Sequence, residues 1–127
     1  MQRNLTILFH CTDSTLYQLV SCYLNLQGLR IVASMKQKDV LQKIDRQKFS
    51  AMILGSESEV FLDEFMYATS QKDNMNFGVP VVLMNDPRQN IQVESNFTPS
   101  IKGIVNIPFT LSDIHKSLIV AIASAKK

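Results

Sequence analysis

Short apolar runs alternate with longer amphipathic stretches along the chain. Five runs have the length and β-forming side chains of strands, and they cover residues 5–9, 30–34, 49–54, 81–84 and 103–107. Between and after them, apolar residues recur at helical spacing in residues 14–27, 38–47, 59–70, 88–97 and 112–125. The pattern predicts five strands and five helices in alternation.

Polar and flexible residues mark the ends of these elements. Asp13 or Ser14 is placed to cap the first helix, Gly28 to end it, and Thr110 or Ser112 to cap the last one. The spacing predicts that the following side chains face the core: Leu16, Leu19, Val20, Tyr23 and Leu24 in the first helix, Val40, Leu41 and Ile44 in the second, Phe61, Leu62, Phe65 and Met66 in the third, and Ile114, Leu118, Ala121, Ile122 and Ala125 in the last.

The alternation favours a parallel sheet covered by helices on both faces. Parallel strands need crossover connections, and strands buried on both faces appear as continuous apolar runs. Ligands of such sheets bind where the carboxyl ends of the strands meet the following loops. In this chain those loops are expected at residues 11–14, 55–57, 85–86 and 107–109.

Composition excludes several classes of protein. At 127 residues, with 46% hydrophobic and 19% charged residues, the chain has the size and composition of one globular domain. A net charge of +2 is too small to favour nucleic acid as a partner. No apolar run approaches the roughly 20 residues that span a bilayer, and the start lacks a signal-peptide pattern. We therefore expect a cytoplasmic protein with no membrane insertion.

The strand ends and the turn Ile107-Pro108-Phe109-Thr110 resemble the receiver domain of bacterial two-component response regulators. The resemblance covers essentially the whole chain, and it includes Ser14-Thr15 at the start of the first helix and the amphipathic final helix. It implies one flavodoxin-like, three-layer domain over residues 1–127, with five helices and the sheet order 2-1-3-4-5.

The magnesium ligands of a receiver are missing from the matching positions. Receivers hold the metal with an acidic pair after the first strand, where this chain has Cys11 and Thr12, or His10 and Cys11 if the strand is shifted by one residue. Magnesium prefers hard oxygen ligands, so a thiol and a hydroxyl are a poor site. We therefore expect neither a bound metal nor a cofactor.

The phosphorylation residues are replaced as well. The resemblance places Gly55 at the phospho-acceptor aspartate, Asn85 at the Thr or Ser that senses the phosphoryl group, Ile107 at the lysine counter-ion and Ile104 at the aromatic switch position. The chain is therefore interpreted as a degenerate receiver, or pseudo-receiver, with no enzymatic activity.

A few polar side chains remain near the expected cleft. Asp13 and Glu57 could rebuild a divalent-cation site, although a helix cap explains Asp13 better and a solvated loop charge explains Glu57 better. Ser56 lies beside Glu57, outside the acceptor position. His10 is either a ligand or base, or a hydrogen-bonded structural residue, and the structural role is the commoner one.

Cys11 supports an alternative function. A strand followed by a cysteine, a polar loop and a helix is the layout of phosphocysteine enzymes, whose thiolate lies against backbone N–H groups. The loop lacks a Gly for close anion approach and an Arg to clamp a phosphate, and Asp13 would repel one. The alternative is therefore a thiol enzyme, or a protein that binds a small molecule or anion, using Cys11 in the cleft.

The main interpretation is a phosphorylation-independent module that binds proteins in a bacterial signal-transduction, motility or polarity pathway. In receivers, the face formed by the fourth helix, fifth strand and fifth helix commonly contacts dimer partners and outputs. The residues of this chain on that face are Ile91, Phe97, Ile104 and Asn106, which we predict to bind a protein partner or a second copy of the chain.

Overall fold

The computed structural model describes residues 5–55, 59–85, 101–106 and 110–125. In chain order its elements are β1 (Thr6–His10), α1 (Ser14–Leu26), β2 (Arg30–Ser34), α2 (Gln37–Arg46), β3 (Ala51–Gly55), α3 (Glu59–Thr69), β4 (Val81–Asn85), β5 (Ile101–Asn106) and α4 (Leu111–Ala125).

The strands form one parallel sheet in the order β2-β1-β3-β4-β5. The predicted single α/β domain and its sheet order are confirmed. Within the described ranges there are four helices rather than the predicted five, since the predicted helix at 88–97 lies outside them. None of the described helices is long and apolar enough to cross a membrane.

Two apolar cores lie on opposite faces of the sheet. Ile7, Phe9 and Ile53 point toward α1 and α4, whereas Leu8, Met52 and Leu54 point toward α2 and α3. Every residue of β3 is buried. Because these central strands are covered on both faces, the interiors of β1, β3 and β4 are apolar and their polar side chains lie at the strand ends.

Boundary differences of one or two residues have local causes. The run 49–54 predicted a strand that starts at Phe49, but β3 starts at Ala51 because the Phe49 N–H donates to the Asn76 side chain instead of to a neighbouring strand. On the edge strand, β5 begins at Ile101 rather than Gly103, and an irregularity opposite Val81 and Val82 accommodates an extra residue.

Side-chain capping begins both α1 and α4. The Asp13 carboxylate accepts a hydrogen bond of 2.9 Å from the Leu16 N–H, and Gly28, with φ of 85°, follows the end of α1. At α4, the Thr110 hydroxyl accepts from the Asp113 N–H, and the Asp113 carboxylate accepts from the Thr110 N–H. The pKa of Asp113 is below its ordinary value. The main cause is the hydrogen bond from the Thr110 backbone N–H, and the second is a hydrogen bond with the Thr110 side chain.

The predicted inward faces are largely confirmed, with one error in α1. Leu19 was expected in the core but is 52% exposed, while Val20 and Leu24 are fully buried. One residue turns a helix by about 100°, so Leu19 lies on the flank of the buried stripe rather than within it. The surroundings of Ala125 lie outside the described side chains.

The Asn76 side chain links the loop after α3 to the end of α2 and to the residues just before β3, near the amino-terminal end of that strand. Its side chain is fully buried, and its Oδ1 accepts a hydrogen bond of 2.8 Å from the Phe49 N–H. Its Nδ2 donates at 2.8 Å to both the Ile44 and Gln47 carbonyls at the end of α2. One amide thereby satisfies two carbonyls at a helix end and the Phe49 N–H, two residues before β3.

We expect Asn76→Ala to lower the free energy of unfolding by about 2–4 kcal/mol, because it leaves buried backbone groups without partners. Asn76→Asp should also destabilise, since it keeps the acceptor but removes both donors. Chemical denaturation measures both variants. Gln42→Ala, at an exposed position of α2, is the control and should change stability by less than about 0.5 kcal/mol. Equal stability of Asn76→Ala and Gln42→Ala would contradict this role for Asn76.

Candidate functional site

The carboxyl ends of the strands meet at one edge of the sheet, where the resemblance placed the candidate site. His10 is level with Leu54, so Cys11 follows at the level of Gly55. Gly55 is level with Met84, and Asn85 is level with Asn106. The register therefore brings the predicted positions Cys11, Gly55 and Asn85 to the same edge.

Cys11, Thr12 and Asp13 have three different surroundings. Cys11 is fully buried in the core beneath α1 and α4, and its thiol donates to the Asp13 carbonyl at 3.6 Å. Thr12 is exposed. Asp13 is exposed too, with its carboxylate engaged in capping α1. Because β1 ends at His10, Cys11 and Thr12 are the first residues after the strand.

His10 lies on the opposite face of β1 from Cys11. Its ring is fully buried and packs against Phe61 of α3, with ring centroids 4.8 Å apart. Its Nδ1 is 2.8 Å from the Ser34 carbonyl at the end of β2. A carbonyl only accepts, so Nδ1 must carry the proton. In the described part of the chain, Nε2 is buried without a hydrogen-bond partner.

The ends of β3 and β4 offer few groups that could bind a metal or react. Gly55 has no side chain and is buried, while the Asn85 amide donates to the Asn106 side chain at 3.0 Å. This pair joins two neighbouring strand ends. Both positions are candidates from the sequence pattern, but only the register of β4 with β5 shows that they meet.

The remaining predicted residues are only partly covered by the described structure. Ser56, Glu57, Ile107, Ile91 and Phe97 lie outside the described residues. Two residues of the predicted partner face are described, both on β5: Ile104 is 59% exposed and Asn106 is exposed.

The described residues at this edge do not fit a receiver-type magnesium site. Magnesium requires oxygen ligands around an accessible position, but Cys11 offers a buried sulfur and Gly55 offers no side chain. Asp13 has a carboxylate, which already accepts the bond that caps α1. Across the described ranges, no group of three or more His, Cys, Asp or Glu is arranged to hold a metal ion.

The buried state of Cys11 also bears on the thiol alternative. A nucleophilic cysteine needs solvent access and groups that stabilise its thiolate. Cys11 has no exposed surface, and its thiol donates to the Asp13 carbonyl. The surroundings of Cys11 are those of a structural core cysteine.

A shallow cavity of about 350 Å³ lies at the other end of the sheet, between α2, α3 and the connection to β4. Its lining includes Asp45, Gln71 and Asp73. None of the predicted site residues lines this cavity.

Neither the protein-family models nor the curated proteins yield a match to the chain. Solved structures do match it. The receiver domain of the sensor histidine kinase PA1611 from Pseudomonas aeruginosa PAO1, described with magnesium coordinated in its active site cleft, aligns with a TM-score of 0.72 at 13% identity. That alignment covers 95% of this chain and 99% of the receiver domain. The chain has the receiver-domain fold.

Two further structures agree over nearly the full length. The chemotaxis response regulator CheY4 of Vibrio cholerae has a TM-score of 0.70 and 16% identity, covering 97% of this chain and 99% of CheY4. A structure described as adenylate cyclase from Rhodopirellula baltica has a TM-score of 0.78 and 13% identity, covering 98% of this chain and 91% of that one. At such identities, the receiver likeness establishes the fold alone.

We expect NMR of the His10 ring to show the tautomer protonated at Nδ1, because the Ser34 carbonyl accepts that proton. Long-range ¹H–¹⁵N correlations distinguish the two neutral tautomers directly. His10→Ala should lower the free energy of unfolding by about 2–4 kcal/mol, through loss of buried ring packing and of the hydrogen bond. The control His115→Ala, at a partly exposed ring, should cost less than about 1 kcal/mol. A ring protonated at Nε2 would contradict the assignment.

Proposed function

We propose that the chain is a receiver-like module that binds protein partners in a bacterial signal-transduction, motility or polarity pathway, independently of phosphorylation and without catalysis. The observation that carries the proposal is Gly55 at the end of β3, where a receiver has its phospho-acceptor aspartate. Glycine has no side-chain oxygen to receive a phosphoryl group.

The surroundings of Gly55 support the same proposal. Cys11 is buried in the core and Asp13 caps a helix, so neither is arranged as an open magnesium ligand. The Asn85 side chain is hydrogen-bonded to Asn106 across two strand ends. A receiver shifts between two conformations when the phosphoryl group arrives, because that group binds one state better. In this chain, partner binding or protein abundance would regulate the output instead.

We expect magnesium with beryllofluoride, or with acetyl phosphate, to cause no localised backbone NMR shifts around Gly55 and Asn85. Intact-mass spectrometry should detect no phosphoryl adduct. A magnesium-binding receiver domain serves as the positive control. Saturable shifts at Asp13 together with a phosphorylated residue would contradict the proposal.

Restoring a carboxylate at position 55 tests which residues prevent phosphorylation. Gly55→Asp supplies an acceptor but no magnesium ligand at Cys11 or Thr12, so we expect it also to remain unphosphorylated. If Gly55→Asp takes up the phosphoryl group readily, the rest of the site is competent and only the acceptor has been lost.

The described part of the predicted partner face lies on β5. Ile104 is 59% exposed at an edge strand, with Lys102 and Asn106 exposed on either side of it. An exposed apolar side chain with polar neighbours is the arrangement found at the centre of many protein interfaces. We therefore assign the partner contact to this face of β5.

Ile104→Lys should weaken partner binding at least about tenfold, because it places a charge at the centre of an apolar contact. Stability should change by less than about 0.5 kcal/mol at this exposed site. The measurement compares proteins co-purified from the native cell with wild-type, Ile104→Lys and Tyr67→Lys chains, followed by affinity measurement on the purified partner. Tyr67 is 63% exposed on α3, which makes Tyr67→Lys the matched control. Equal retention of the partner by the Ile104 and Tyr67 variants would rule out this face.

A further inference from the structure

Opposite charges lie on the two helices that cover one face of the sheet. Residues 36–48, which contain α2, have five basic and two acidic side chains, a net charge of +3: Lys36, Lys38, Lys43, Arg46 and Lys48 against Asp39 and Asp45. Residues 59–73, which contain α3, have four acidic and one basic side chain, a net charge of −3: Glu59, Asp63, Glu64 and Asp73 against Lys72. We call the surface formed by these two segments the α2/α3 face.

The two helices of the α2/α3 face lie side by side. Val40 and Ile44 of α2 are buried in the same apolar cluster as Phe61 and Phe65 of α3, on one side of the sheet. Each helix follows one strand of a parallel sheet and precedes the next strand along the chain, so both helices run in the same direction. A basic helix and an acidic helix are thus parallel neighbours on one surface.

The two acidic residues of α2 have partners within the molecule. Asp39 forms an ion pair with Lys43, with 3.8 Å between Oδ2 and Nζ. The Asp45 carboxylate accepts a hydrogen bond of 3.1 Å from the Asn74 amide. These contacts leave the remaining basic side chains of α2 without an acidic neighbour on their own helix.

Four charged side chains on the α2/α3 face lack such partners. Lys38 and Arg46 are exposed on α2, eight residues apart, which places them on the same side of the helix. On α3, Glu64 is exposed and Asp63 is half-buried. Within the described parts of the chain, none of the four forms an ion pair or a side-chain hydrogen bond, and no ion pair joins α2 to α3. Both signs of charge are therefore available to another molecule.

The charge pattern selects the occupant and its orientation. An acidic partner would match α2 but repel α3, and a basic partner would do the reverse. A second copy matches both helices if the two-fold axis runs parallel to them, because α2 of each copy then lies over α3 of the other. A two-fold axis across the helices would instead place α2 on α2 and α3 on α3, with like charges opposed.

We propose that the α2/α3 face is the contact surface of a homodimer, in which the basic helix of each copy packs against the acidic helix of the other. Complementary charges speed the encounter of two surfaces and fix their relative orientation. The two contacts of the dimer are identical by symmetry, so a substitution that changes one of them changes both.

Charge reversal on either helix should prevent self-association. The α2 variant is Lys38→Glu with Arg46→Glu, and the α3 variant is Asp63→Lys with Glu64→Lys. Each should raise the dimer dissociation constant at least about tenfold in sedimentation equilibrium, because both contacts then oppose like charges. The single substitution Glu64→Lys, at an exposed position, should act in the same direction. Circular dichroism checks that every variant is folded.

Mixing the two variants gives the decisive readout. In a mixed dimer, the reversed α2 of one variant meets the reversed α3 of the other, and the two unchanged helices meet as in the wild type. The mixture should therefore associate at least about tenfold more tightly than either variant does with itself. Sedimentation of the fluorescently labelled α2 variant with the unlabelled α3 variant measures this directly. A structural defect in either variant would not be repaired by mixing.

A charge reversal outside the α2/α3 face is the control. Lys102→Glu changes an exposed lysine on β5 and should leave the dissociation constant within about twofold of the wild type. Ionic strength gives a second readout, since the wild-type dimer should weaken at least about fivefold between about 0.05 M and 0.5 M sodium chloride as the charges are screened.

Four results would overturn the proposal. The first is a wild-type chain that stays monomeric at low salt up to about 1 mM. The second is a dimer that salt does not weaken, and the third is a pair of variants that fail to associate when mixed. The fourth is a dimer that Lys102→Glu disrupts, which would place the contact on β5. None of these results bears on phosphoryl uptake near Gly55, so this dimer and the phosphorylation-independent function can fail separately.

Discussion

The whole architecture depends on burying β3 on both faces. All five of its residues, from Ala51 to Gly55, are buried between two helical layers. A strand in that position admits only apolar side chains, since any polar group on either face would lose its hydrogen bonds to water. The neighbours β1 and β4 share the constraint along most of their length. The polar side chains of these strands therefore lie at the strand ends, where the loops begin.

At the carboxyl end of the sheet, the described polar groups mostly bond to one another. His10 is held by the Ser34 carbonyl, Asn85 donates to Asn106, and Asp13 caps α1. Among the described residues, this edge presents the buried Cys11 thiol, Gly55 and the hydrogen-bonded amides of Asn85 and Asn106. Our proposal of a phosphorylation-independent module depends on these residues.

The amino-terminal end of the sheet stabilises the fold, whereas several residues on the outer surface do not. Asn76 holds the end of α2 and the start of β3 together through three buried hydrogen bonds, so it acts on the stability of the fold. Leu19 and Leu26 of α1 and Ile104 of β5 are exposed and contribute little to the core. Asn76 and the partner contact proposed for β5 therefore lie on separate surfaces of the domain.

The sequence by itself determined the order of the described elements, the parallel sheet and most inward faces, because hydrophobic periodicity and capping residues act locally. It also located Cys11, Gly55 and Asn85 at strand ends, since each follows or ends an apolar run. Only the tertiary structure decided the surroundings of these residues. The register of β2 against β1, and so which carbonyl meets His10, depends on long-range packing. The same holds for Leu19, whose periodicity matched the core but whose exposure was decided by how α1 is rotated against α4 and the sheet.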